Sequence, residues 1–128
     1  METFSSFKIF NPEYIISISD NNLKFIEEIY SIYCLQGAEI LKLIKNAVNC
    51  NDINVISIQA HKLKSSFNII GLTNSIENIC ILEDVNKIKT EQIEIISILK
   101  KIEEDYILSK DEFHIFIQKL KEEKNVTN

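Results

Sequence analysis

Two histidines occur in the chain, and their settings differ. His61 falls in the run Ala60-His61-Lys62-Leu63-Lys64-Ser65-Ser66-Phe67-Asn68. On a helix, residues three and four apart share a face, so Ser57, His61, Lys64, Ser65 and Asn68 form one polar stripe. An imidazole with an ordinary pKa of about 6.5 is mostly neutral near pH 7, and its free nitrogen is a nucleophile. Attack on an activated phosphoryl group would leave phosphohistidine. The charge that arrives needs cations and hydrogen-bond donors close by. Lys64, one turn on, is the expected cation; Lys62 is adjacent in sequence but points elsewhere around the helix. Ser57, Ser65 and Asn68 are expected to hydrogen-bond phosphate oxygens or to orient the ring. No acid occurs between Ile53 and Gly71, so this stretch is locally basic in a chain whose net charge is −5. That sign suits a partner with an acidic pocket, or a phosphoryl group in transit. His114, between Phe113 and Ile115, has no such setting and is expected to be a boundary residue.

The other face of the same stretch positions the histidine. Ile53, Ile56, Ala60, Leu63, Phe67 and Ile70 recur at helical spacing and are expected to face a core. Asp52 is the expected cap at the start, and Gly71 the stop at the end. Upstream, Asn11-Pro12 reads as a helix start, with a short helix to about Ile18. Ser19-Asp20-Asn21-Asn22 resets the chain and offers a new cap. One apolar stripe then runs Leu23, Ile26, Tyr30, Tyr33, Gly37, Ile40, Ile44, Ala47 without losing phase, which predicts one long helix. A break at Gln36-Gly37 is the alternative. Glycine inside a helix costs about 1 kcal/mol, which close approach of a neighbouring helix would offset. After Gly71, Leu72, Ile76, Ile79 and Cys80 are expected inward on a further helix ended by Asn86 to Thr90. Thr90 is the expected cap of the last helix. That helix carries Ile95, Leu99, Ile102, Tyr106, Phe113, Ile117 and Leu120 on one side.

Fold class follows from these periods: all-α, an antiparallel up-and-down four-helix bundle with a short extra N-terminal helix. Residues 1–10 are expected as an arm whose aromatics, Phe4, Phe7 and Phe10, pack on the domain. Residues 11–120 form the bundle, and 121–128 a polar, frayed tail. Two glycines and one proline leave little turn chemistry for a multistranded sheet. A chain of 128 residues suits one domain with a single core. The acidic balance argues against a nucleic-acid partner. No apolar run is long enough to span a bilayer, and the N-terminus lacks the pattern of a secretion signal. Cys34, Cys50 and Cys80 include no C-x-x-C pair, so neither zinc nor a disulfide framework is suggested. Buried, reduced thiols and a cytoplasmic location are expected. No glycine-rich loop is available to cradle ATP.

The run from Ala60 to Gly71, followed by Leu82-Glu83, resembles the signature of histidine-containing phosphotransfer (HPt) domains. Ala60, His61, Leu63, Lys64, Ser66 and Gly71 fall on the family's places. The commonest form has glycine directly after the lysine, where this chain has Ser65. The resemblance covers roughly residues 11 to 120. It implies a phosphorelay intermediate, with His61 phosphorylated by the aspartate of one receiver domain and dephosphorylated by another. It implies no kinase activity, no cofactor and no metal ligand on this chain, since the receiver supplies magnesium. The implied partners are receiver domains of response regulators or of hybrid histidine kinases. His61, Lys64 and Lys62 are the expected catalytic set; Ser57, Ser65, Asn68 and Gly71 are expected to support the site or face the partner. Glu83 matches the family's recurrent glutamate and is taken as structural. A monomer is expected. The alternative is a helical adaptor that binds receivers or other helical partners without transfer.

Overall fold

The computed structural model describes residues 7–127 and consists, over that span, of five α-helices and no strand. They are α1 (Glu13–Ser19), α2 (Leu23–Asn49), α3 (Ile53–Ile70), α4 (Thr73–Glu83) and α5 (Gln92–Thr127). α2 runs unbroken through Gly37. The reason is on the facing helix: a Cβ on Gly37 would sit 2.4 Å from the Tyr106 ring of α5. Only glycine lets the two helices approach this closely.

The helix starts follow local chemistry. Asn22 Oδ1 accepts the Phe25 N–H, and Asp52 Oδ1 accepts the Val55 N–H. Asn11 Oδ1 accepts the Glu13 N–H, which places Pro12 just ahead of α1 rather than inside it. Gly71 ends α3 with φ +79°, in the left-handed region glycine favours. Thr90 does not cap α5. Its hydroxyl donates to the Ile88 carbonyl, and α5 begins two residues later at Gln92. α4 also stops earlier than its pattern suggests, at Glu83, and Val85 in the following turn is buried.

α3 packs on α2 and α4, α5 packs on α2 and α4, and α1 lies against α2 and α3. α2 and α5 run in opposite directions. Gln92 reaches the Val48 carbonyl near one end, Tyr106 the Tyr33 and Cys34 carbonyls in the middle, and Lys121 the Glu27 carboxylate near the other. Ile56, Ala60, Leu63, Phe67 and Ile70 of α3 are buried in the shared core. Ile53 is not: it stands on the first turn and is exposed. The α5 stripe from Ile95 to Leu120 is buried throughout. Residues 121–127 continue α5 instead of forming a separate tail. Cys50 is exposed and Cys34 and Cys80 are half-buried, all free, so the thiols are less enclosed than their apolar character suggests. Phe4 lies outside the described residues. Phe10 is buried, stacked on Phe113 at 5.0 Å between ring centroids. None of the helices, within the described residues, is long and apolar enough to cross a membrane.

Candidate functional site

His61 sits near the middle of α3, on the side opposite Leu63 and Phe67. Its side chain is 67% exposed. Ala60, fully buried beside it, keeps the backbone close to the core while the ring stands in solvent. His61 Nδ1 lies 2.5 Å from Oε2 of Glu83, the last residue of α4. The other carboxylate oxygen, Oε1, accepts from Lys64 Nζ at 2.6 Å. One carboxylate thus clamps the histidine and the lysine together. Glu83 is itself held at the backbone, where its carbonyl accepts the Ser57 hydroxyl.

Charge follows from this geometry. The Lys64 ammonium, and then the His61 hydrogen bond, hold the Glu83 carboxyl below the usual carboxylate range. The same hydrogen bond to Glu83 raises Lys64 above the usual lysine value. An ionised carboxylate only accepts hydrogen bonds, so Nδ1 carries the hydrogen in this pair. In the neutral ring the lone pair then lies on Nε2, which has no partner among the described residues. The arrangement presents a nucleophilic nitrogen of fixed identity to solvent.

The expected site residues divide into two groups. His61, Lys62 and Ser65 line an open depression of about 540 Å³ between α2 and α3. Lys64 and Ser57 belong to the clamp on the α4 side. Asn68 is exposed one turn further along α3, and Gly71 lies at the helix end, pressed on Asn11. His114 is exposed, 6.1 Å from the Tyr30 ring. The sequence gives Glu83 only a structural part, and in the structure its carboxylate holds both the histidine and the lysine. The Leu82-Glu83 pair was the available signal. Glu39, Gln36, Ile40 and Leu43 of α2 and Ile69 of α3 also line the depression. Nothing local in the sequence marks them, since they come together only when α2 packs on α3.

The depression continues into an apolar groove of about 270 Å³, with Gln36, Ser66 and Ile69 common to both. Ile18 of α1 and Phe25 and Ile32 of α2, all exposed, form its walls. A solvent-facing apolar strip next to a reactive side chain is the kind of surface a protein partner covers. Among the described residues no group of three His, Cys, Asp or Glu side chains is placed to hold a metal ion. Comparison of the chain with protein-family models, with curated proteins and with solved structures gave no match.

Proposed function

We propose that the protein is a phosphorelay intermediate of two-component signalling, accepting a phosphoryl group on His61 from a receiver-domain aspartate and passing it to another receiver. The likeness of the Ala60–Gly71 run to the HPt signature motivates this. The observation that carries it is the exposed imidazole with Nδ1 held by Glu83 and Nε2 left open. In the transfer, the Nε2 lone pair attacks phosphorus. The bond from phosphorus to the aspartyl oxygen breaks, and its electron pair leaves with the carboxylate. The Nδ1 hydrogen stays in place, and the Glu83 carboxylate offsets the positive charge that develops on the ring. Lys62, which the helical wheel alone turned away from His61, lines the same depression as the histidine together with Ser65, and the two would offer a charge and a donor to the incoming phosphoryl oxygens. Phosphoryl transfer depends mainly on positioning and charge neutralisation, and both ends of the exchange can share these groups.

The architecture that goes with this function is an antiparallel up-and-down bundle of α2 to α5, with α1 as the extra helix. The receiver seats on the α2–α3 face, over the depression and the apolar groove, and brings the magnesium ion. This chain needs no cofactor, phosphorylates nothing by itself, and works as a cytoplasmic monomer without nucleic acid or membrane.

A second function is favoured by two observations. Lys64, the expected phosphate-binding cation, is already engaged by Glu83, and Ser65 replaces the glycine usual at the next place. Both suit an adaptor that binds receivers without transfer. Incubation with a phosphorylated receiver and magnesium separates the two. Transfer labels this chain with an acid-labile, base-stable phosphate. His61→Gln abolishes the label while the helical circular dichroism is unchanged. Label on the substituted protein would move the acceptor away from His61, and binding without label would favour the adaptor.

A further inference from the structure

Away from His61, the least ordinary group is Glu112 of α5, a carboxylate only 7% exposed. Its Oε2 accepts the Lys8 N–H at 2.6 Å, and its Oε1 accepts the Ile9 and Phe10 N–H groups at 3.0 Å each. Three consecutive main-chain donors converge on one anion. A buried carboxylate is costly unless its oxygens are satisfied, and here the backbone of residues 8–10 satisfies them. The next residue turns to a different helix. The Asn11 N–H donates to the carbonyl of Ile70, in the last turn of α3, at 3.2 Å. Its backbone oxygen lies so near Gly71 that an added Cβ there would come within 2.4 Å. α3 and α5 share no extensive interface of their own. Four residues, 8–11, therefore bridge two helices that otherwise meet mainly through α2 and α4. The Phe10 ring, next to its own hydrogen bond to Glu112, packs on Phe113 and Phe116 of α5.

We propose that residues 7–12 are a releasable strap tying the C-terminal end of α3 to α5, anchored by the Glu112 carboxylate, and that its attachment sets the shape of the apolar groove beside the His61 depression. The link to the groove is covalent and short. From Asn11 the chain passes through Pro12 into α1, whose Ile18 forms one wall; Ile70, which receives the Asn11 hydrogen bond, lines the same groove. Its hold on α5 combines the Glu112 hydrogen bonds with the Phe10 ring on Phe113 and Phe116 and Lys119 over Phe7, all outside any helix ladder, so the segment can open as a unit of its own. The phosphorelay assignment plays no part in this inference.

Amide hydrogen exchange and isoleucine-methyl NMR on the full chain test it. In Glu112→Gln the anionic acceptor is lost. The Ile9, Phe10 and Asn11 amides then exchange about tenfold faster or more, as expected for weakened charge-assisted bonds. The Ile18 and Ile70 methyl signals shift, while Ile44 and Ile102 amides keep their wild-type rates. Unchanged protection of the arm would overturn the proposal, and so would equal acceleration of arm and core. A freed arm with unshifted Ile18 and Ile70 methyls would overturn the link to the groove. If the variant fails to fold, a urea series on the wild-type chain decides. The arm amides must then exchange through an opening less sensitive to urea than that of Ile44; exchange that follows the core overturns the strap.

Discussion

Two polar clusters face opposite fates in this molecule. Between α2 and α5, Tyr33 and Ser109 share a hydrogen bond of 2.7 Å, and the Ser109 hydroxyl lies 2.7 Å from the Tyr106 carbonyl. The Tyr106 hydroxyl donates to the Tyr33 and Cys34 carbonyls. All three side chains are buried, and burial pushes the Tyr33 phenol above its ordinary range and the Tyr106 phenol up to about 12. Nearby, buried Ser75 of α4 donates to Asp105. These groups spend their hydrogen bonds on one another, which fixes how the helices meet. Between α3 and α4, the Glu83 clamp also uses its polar atoms inward, but leaves Nε2 of His61 over. The difference separates structure from chemistry: a cluster that closes on itself specifies packing, and one with a spare reactive atom at the surface can act.

Breaking the clamp has the larger expected effect on activity. Glu83→Gln keeps the shape but removes the charge, and the proposed phosphoryl acceptance is expected to slow about 10- to 100-fold. The signature is a mixed tautomer of His61 by nitrogen NMR, with little change in unfolding midpoint, because an exposed pair contributes little to stability. Unchanged tautomer and rate would make Glu83 merely structural. Breaking the seam acts in the opposite sense. Gly37→Ala drives a methyl into the Tyr106 ring and costs about 1–3 kcal/mol by urea unfolding, while transfer by the folded fraction is unaltered. Tyr33→Phe removes one buried hydrogen bond and costs about 1 kcal/mol, with the same indifference of transfer.

Acid sharpens the contrast at the small end. Glu83 has a folded-state pKa below its unfolded value, so its contribution is present at neutral pH. It fades as pH falls below about 4.5 and is gone beneath the folded value. Paired NMR titrations of Glu83 and His61 should show the clamp surviving into the range where ordinary carboxylates are already protonated. Loss of the clamp above that range would contradict the lowered value.

Much of this was legible in the chain because it is local. The Asp52 cap, the Gly71 stop, the inward row from Ile56 to Ile70 and the exposed stripe bearing His61 all follow from spacing along one helix. The close approach at Gly37 was legible too, since a glycine kept in phase on an inner stripe needs a neighbour to justify it. Tertiary placement was not. Glu83 is 22 residues from His61, and only the α3–α4 hairpin brings them together. Glu112 lies about a hundred residues from the arm it anchors, and in sequence it resembles any acid on a polar helix. The sequence gives Lys64 as the cation for an arriving phosphoryl group and shows no acid on its own helix; its counter-charge comes from the next one. Thr90 looked like a cap because threonine prefers that place, but its hydroxyl found the Ile88 carbonyl first.

The α3–α4 hairpin also acts as a measuring device. Its fold-back point is set by Gly71, and the clamp closes only if the count of residues from there to Lys64 and from there to Glu83 brings both to the same height. One residue added to α4 would turn the carboxylate about 100° around the helix axis. The imidazole would then lose its brace with every side chain of the stripe intact. Insertions in this hairpin should therefore be tolerated least in α4 itself, and far better in the turn beyond Glu83.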